Sequence, residues 1–122
     1  MALDEKQKAR LLLAERLLEL AEHSSEIEMR NSLSRIYYAV YHVAIVLVGN
    51  MSHGEIPSAL EKQERGLGGR FRRLLELRQG ADYNLNFVKS EFDGLENFKV
   101  QFPQEIESAR GLYERLLQMS TV

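Results

Sequence analysis

Apolar residues recur along most of this chain every three or four positions, the spacing that turns one face of an α-helix toward a core. From about Asp4 to Glu22 that face consists of Leu12, Leu13, Leu17, Leu18 and Leu20, with Ala14 and Ala21 beside them. Ser24 or Ser25 can cap a second helix, since Glu28 stands three residues after Ser25 in a capping-box arrangement. This helix is expected to reach about Val48 and to end at Gly49 or Asn50. Leu33, Ile36, Tyr37, Val40, Tyr41, Ala44, Ile45, Leu47 and Val48 make it apolar around most of its girth, which suits a central position or an interface. Pro57 fits the first turn of a third helix ending near Arg65. The run Gly66-Leu67-Gly68-Gly69 reads as a flexible break. A fourth helix follows from Arg70 to Gln79, with Phe71, Leu74, Leu75 and Leu77 inward and Gly80 near its end. Asn84 to Phe102 is ambiguous, because Gly94 weakens a helix that Val88, Phe92, Leu95 and Phe98 would otherwise support. Pro103 is expected to open a last helix to about Gln118, with Ile106, Ala109, Leu112, Tyr113, Leu116 and Leu117 on one side. The pattern predicts an all-α fold, an antiparallel bundle of about five helices.

With 122 residues, no repeat and no linker, residues 1–122 read as one domain, large enough to fold without a disulfide or a metal. The chain has no cysteine, which excludes disulfides, thiolate metal sites and cysteine nucleophiles. The start, MALDEKQKAR, lacks the features of a secretory leader, and the longest apolar run, Val43 to Val48, is too short to cross a bilayer. A cytoplasmic location without membrane contact is the expectation. Lys and Arg total 16 against 18 Asp and Glu, so any attraction to nucleic acid would have to come from local patches.

The second helix carries the candidate chemistry. Arg35 and His42 are seven residues apart. At about 100° per residue, seven steps fall about 20° short of two full turns, so both lie on one line. Tyr38 lies between them and Asn31 one turn earlier on the same line. Cleaving RNA without a metal requires a group that deprotonates the ribose 2′-hydroxyl, a group that protonates the 5′-leaving oxygen, and positive charge on the pentavalent phosphorane. Histidine moves protons near neutrality. Arginine offers a fixed charge in a planar fork that fits phosphate oxygens. A tyrosine hydroxyl can hold the substrate or the imidazole. The same residues also fit a hydrogen-bonded core histidine with an arginine paired to an acid.

The string Ser34-Arg35-Ile36-Tyr37-Tyr38-Ala39-Val40-Tyr41-His42-Val43-Ala44 resembles the signature of HEPN-domain proteins, whose mark is an Arg and a His with four to six residues between them; here six intervene. Ser52-His53-Gly54-Glu55-Ile56 and Arg78-Gln79-Gly80-Ala81-Asp82-Tyr83 resemble two further family elements in the same order. The resemblance implies a HEPN-like helical bundle that forms a homodimer, with Arg35 and His42 of both protomers lining one cleft and Tyr38 beside them. It implies a metal-independent endoribonuclease with no cofactor, of the toxin–antitoxin or antiviral-defence type, acting on RNA. A cognate antitoxin, such as a minimal nucleotidyltransferase, is an implied partner. The alternative within the family is a non-catalytic nucleotide-binding or regulatory partner module. Active members commonly carry a polar residue directly after the Arg, where Ile36 stands here, and targets of that nucleotidyltransferase often carry a Tyr shortly after the His, where Val43, Ala44 and Ile45 follow.

Between positions 62 and 78 the chain also carries Lys62, Arg65, Arg70, Arg72, Arg73 and Arg78 against only Glu64 and Glu76. The first five, with His53, are candidate nucleic-acid contacts; a solvated helix face accounts for the same charges. Asp82, four after Arg78, is expected to form an ion pair with it, and Tyr37 and Tyr83 are expected to pack. Three scattered histidines without cysteine do not make a zinc site.

Overall fold

The computed structural model describes residue 5 and residues 24–121. The expected helix from Asp4 to Glu22 lies outside the described residues, Glu5 excepted. Among the described residues there are five helices and no strand: α1 (Ser24–Val48), α2 (Ile56–Gln63), α3 (Leu67–Tyr83), α4 (Phe87–Phe92) and α5 (Leu95–Ser120). They pack as an all-α bundle in which α1 lies against both α3 and α5. None is long and apolar enough to cross a membrane.

Helix α1 buries Leu33, Tyr37, Val40 and Ala44, a stripe with steps of four, three and four residues. It ends as its sequence suggests. The Gly49 N–H closes on the Ile45 carbonyl at 2.9 Å, and Gly49 takes φ +99°, a conformation that costs glycine little. Pro57 stands in the first turn of α2 and is buried there. The helix stops at Gln63, two residues short of Arg65.

The glycine-rich run is not a flexible break. Gly66, at φ +96°, precedes α3, and Leu67, Gly68 and Gly69 form its first turn. The Glu61 carboxylate accepts the N–H groups of Gly66 and Gly68, which satisfies two donors at the start of the helix. Those bonds also hold the Glu61 carboxyl below the usual carboxylate range. At its other end α3 continues past Gln79 to Tyr83.

The ambiguous stretch resolves into α4 and the start of α5. Gly94 at φ +123° and Asp93 at φ 59° form the corner between them, so Gly94 separates two helices instead of weakening one. Pro103 does not open the last helix. It lies inside α5 at an exposed position, where it forgoes one intrahelical hydrogen bond. The apolar signal around Phe98 is strong enough to carry the helix through it, and Phe98 is fully buried.

Two apolar clusters meet along the bundle. One joins Tyr37, Val40 and Ala44 of α1 with Ile56, Leu60, Phe71, Leu74, Leu112 and Leu116. The other gathers Leu33 and Leu77 with the aromatic rings of Phe87, Phe92 and Phe98. Arg30 ties the second cluster to the end of α3. Its buried guanidinium donates from Nε to the Ala81 carbonyl at 2.8 Å and from Nη2 to the Asn84 carbonyl at 2.7 Å. It thus satisfies carbonyls that the end of a helix leaves without intrahelical partners.

Candidate functional site

Helix α1 presents Asn31, Arg35, Tyr38, His42 and Val46 on its exposed side, opposite the buried stripe. The alternation follows from the sequence: each residue of this row is about two positions, or about 200°, from a core residue of the same helix. Arg35 and His42 make no hydrogen bond or ion pair with any described residue. The His42 ring lies 5.4 Å, centroid to centroid, from the ring of Tyr41. Two helical turns separate Arg35 from His42 by about 10 Å along the axis.

The three stretches singled out in the sequence come together beside this row. From the loop after α1, His53 stacks on Tyr41 at 4.4 Å with the rings 9° apart, and its Nδ1 is hydrogen-bonded to the Tyr37 hydroxyl. Burial pushes the Tyr37 phenol well above its ordinary range, so it keeps its proton. Burial, and then the charge of Arg78, hold the His53 pKa below its ordinary value. No other described group accepts the Tyr37 proton, so the phenol donates to Nδ1 and the proton of the neutral ring sits on Nε2.

From α3, Arg78 reaches across to α1. Its guanidinium donates to the Tyr38 hydroxyl and lies 5.5, 5.0 and 5.3 Å from the ring centroids of Tyr37, Tyr38 and Tyr83. Asp82 fixes it from behind, with Oδ2 3.0 Å from Arg78 Nε, and Ser34 of α1 donates to the same Oδ2 at 3.1 Å. The expected Arg78–Asp82 ion pair is present, and Tyr37 is packed in the core. Tyr83 is not a packing residue. It is 68% exposed at the end of α3.

Arg78 is the residue whose importance the sequence understates. Read by composition, it is one more positive charge in a basic run. The signal that sets it apart is its place ahead of Asp82 and Tyr83, where one helical turn brings all three toward α1. Ser34 joins the cluster by proximity that only the packing of α1 against α3 creates, and Tyr41 through the loop that carries His53.

The basic run does not gather on this face. Viewed down α3, Arg70 and Arg73 lie about 80° and 140° from Arg78 on one side, and Arg72 about 120° on the other. Arg70 donates to the Ser108 carbonyl at 3.3 Å, and Arg73 pairs with Glu105 at 3.2 Å and Glu91 at 3.4 Å. Arg72, Lys62 and Arg65 are exposed on or beside α2 and the start of α3. None of these five shares a hydrogen bond or ion pair with Arg35, Tyr38 or His42. His53 is the one nucleic-acid candidate from the sequence that the fold brings to Tyr38, at 6.5 Å between rings. Among the described residues no cluster of three His, Asp or Glu side chains could hold a metal ion.

No family model matches the chain, and no curated protein or solved structure matches it either.

Proposed function

We propose that this protein is a metal-independent endoribonuclease of the HEPN type, acting in a toxin–antitoxin or antiviral-defence setting. The observation that carries the reading is the exposed row of Arg35, Tyr38 and His42, in which Arg35 and His42 have no hydrogen-bonding partner of their own within the described chain. A buried pair closed on itself would have favoured the binding-module alternative; an open pair is available to a phosphodiester.

The roles follow from the side-chain chemistry. The His42 imidazole takes the proton of the ribose 2′-hydroxyl or returns one to the 5′-leaving oxygen. The Arg35 fork neutralises the phosphorane oxygens. The Tyr38 hydroxyl accepts from Arg78 and so keeps its own proton free to donate to a non-bridging phosphate oxygen. One imidazole cannot act as base and acid in the same in-line step. A homodimer that brings two exposed rows together supplies both, with the two chains related by a twofold axis. In this reading the protein works in the cytoplasm. Its partners are RNA and a cognate antitoxin, of which a minimal nucleotidyltransferase is one form.

Incubation with single-stranded RNA in EDTA tests the reading. Cleavage that leaves a 2′,3′-cyclic phosphate and spares a 2′-O-methyl strand is expected, because the 2′-hydroxyl is the nucleophile. Adding an excess of His42→Ala chains to wild type is expected to suppress activity through mixed dimers, because each shared cleft then holds a single imidazole. A wild-type protein that cleaves no RNA, or that requires a divalent metal, contradicts the proposal.

A further inference from the structure

We infer that Tyr83 and the Arg78 guanidinium form a stacking subsite for one unpaired nucleobase of a single RNA strand whose backbone runs along the Arg35–His42 row. The inference rests on the reading of that row as an RNA-binding face.

Four observations converge on it. Tyr83 is 68% exposed, although it is a large aromatic residue on the last turn of a helix with an apolar core below it. Its ring is held on one side by Arg78, at 5.3 Å to the centroid and with Nη2 3.4 Å from its hydroxyl, so its position is set while much of its surface remains open. The guanidinium itself is held by Asp82 and by the Tyr38 hydroxyl, and its side chain is only 12% exposed, so it serves as a fixed charge behind the ring. Tyr38, 37% exposed, belongs to both the platform and the row, one turn from Arg35 and one turn from His42. A strand whose phosphate meets Arg35 and His42 therefore has a neighbouring base within reach of Tyr83.

The chemistry favours a base over other occupants. Unstacked bases of single strands are taken up on aromatic rings and guanidinium planes, with little dependence on sequence because every base has a π-face. A duplex keeps its bases stacked on one another and offers none to such a platform. The subsite thus makes the substrate class single-stranded RNA, recognised by an unpaired base beside the scissile phosphate.

Anisotropy of an end-labelled 2′-O-methyl RNA heptamer reads binding without cleavage. Stacking of one base contributes about 1–3 kcal/mol, so Tyr83→Ala should weaken binding by roughly five- to 150-fold, and Tyr83→Phe should bind like wild type. Moving a single abasic site along the heptamer should reveal one position where loss of the base weakens the wild type by the same factor and leaves Tyr83→Ala unaffected, the coupling expected of two groups in contact. Wild-type affinity in Tyr83→Ala, or no position coupled to it, overturns the subsite even where RNA cleavage is intact. Coupling in a protein that cleaves nothing upholds the subsite and rejects the endonuclease. Displacement of the heptamer by equimolar AMP overturns the strand assignment in favour of a mononucleotide site. A halved particle mass for Tyr83→Ala in light scattering overturns the subsite by giving the platform to a second copy of the chain.

Discussion

The Tyr37 hydroxyl and His53 Nδ1 share a hydrogen bond that pins the loop after α1 to the core of the bundle. Tyr37 is fully buried, and His53 packs against both it and Tyr41, also facing Tyr38 and Arg78. With the imidazole neutral the phenol donates to Nδ1; once Nδ1 carries a proton it can no longer accept, and the hydroxyl has to reverse and act as the acceptor.

This gives the first prediction a definite sign. The His53 pKa in the folded protein lies below its ordinary 6.5, mainly through burial and then through Arg78. Between the two values the unfolded chain holds a proton that the folded chain refuses, so stability rises with pH there. The contribution is complete above about pH 6.5 and is lost as pH falls through the folded value. Urea unfolding at pH 7.5 and pH 5.0 should show a larger loss for wild type than for His53→Gln. Equal losses would mean that His53 is not coupled to the fold.

Arg30 should matter for stability more than an ordinary charged residue. Its guanidinium is buried, and its loss leaves the Ala81 carbonyl without its side-chain donor and the Asn84 carbonyl with the Phe87 N–H alone. Stranding buried polar groups costs about 1–3 kcal/mol. Arg30→Met, which keeps the apolar stem, is expected to lower the unfolding free energy by about 2 kcal/mol. A loss below about 0.5 kcal/mol, the level of a neutral surface change, would contradict this role.

Two glycines of α3 should respond in opposite directions. A Cβ on Gly80 would sit 2.7 Å from Phe87 Cε1, and the ring is boxed in by Phe92 and Phe98. Gly80→Ala is therefore expected to destabilise by about 1–3 kcal/mol. A Cβ on Gly69 meets nothing within 4 Å, in a helical turn without positive φ. Gly69→Ala should stabilise by about 0.4–1 kcal/mol. Thermal unfolding of the two variants side by side reads both signs.

The basic run should contribute little to RNA affinity. Arg73 already faces Glu91 and Glu105, whereas Arg72 is exposed. In a log–log plot of affinity against salt, each phosphate contact on a single strand contributes a slope of about −0.7. Replacing Arg72 and Arg73 together with alanine should flatten the slope by no more than about one such contact. A change equal to two would show that Arg73 leaves its glutamates for phosphate.

The helices with clean apolar periodicity are legible in the sequence. The Leu33–Tyr37–Val40–Ala44 stripe predicts both the core of α1 and the exposed row opposite it, because one helix fixes both. The errors fall where local propensity competes with packing. Pro103 looks like a helix start because proline favours the first turn, yet burial of Phe98 and Ala109 on either side carries α5 through it. Gly68 looks like a break, yet it lies in the first turn of α3, where a Cβ would stand 3.0 Å from Glu61 Cβ. The row of Arg35, Tyr38 and His42 needs only helical geometry to be seen. The Arg78 cluster needs the packing of α1 against α3, which no single stretch of sequence encodes, and only the order of three short motifs hints at it.

The central claim is that His42 moves a proton in RNA cleavage and does not hold the protein together. It is exposed and has no hydrogen bond or ion pair among the described residues, so replacing it should leave the fold intact. The most direct measurement is the single-turnover cleavage rate of His42→Ala beside wild type in EDTA, with thermal unfolding recorded on the same samples. General acid–base catalysis is worth about 10²–10⁴-fold. The expected result is a rate at least roughly a hundredfold lower with an unchanged melting transition. A variant that cleaves at the wild-type rate, or one that loses activity only because it no longer folds, would contradict the account.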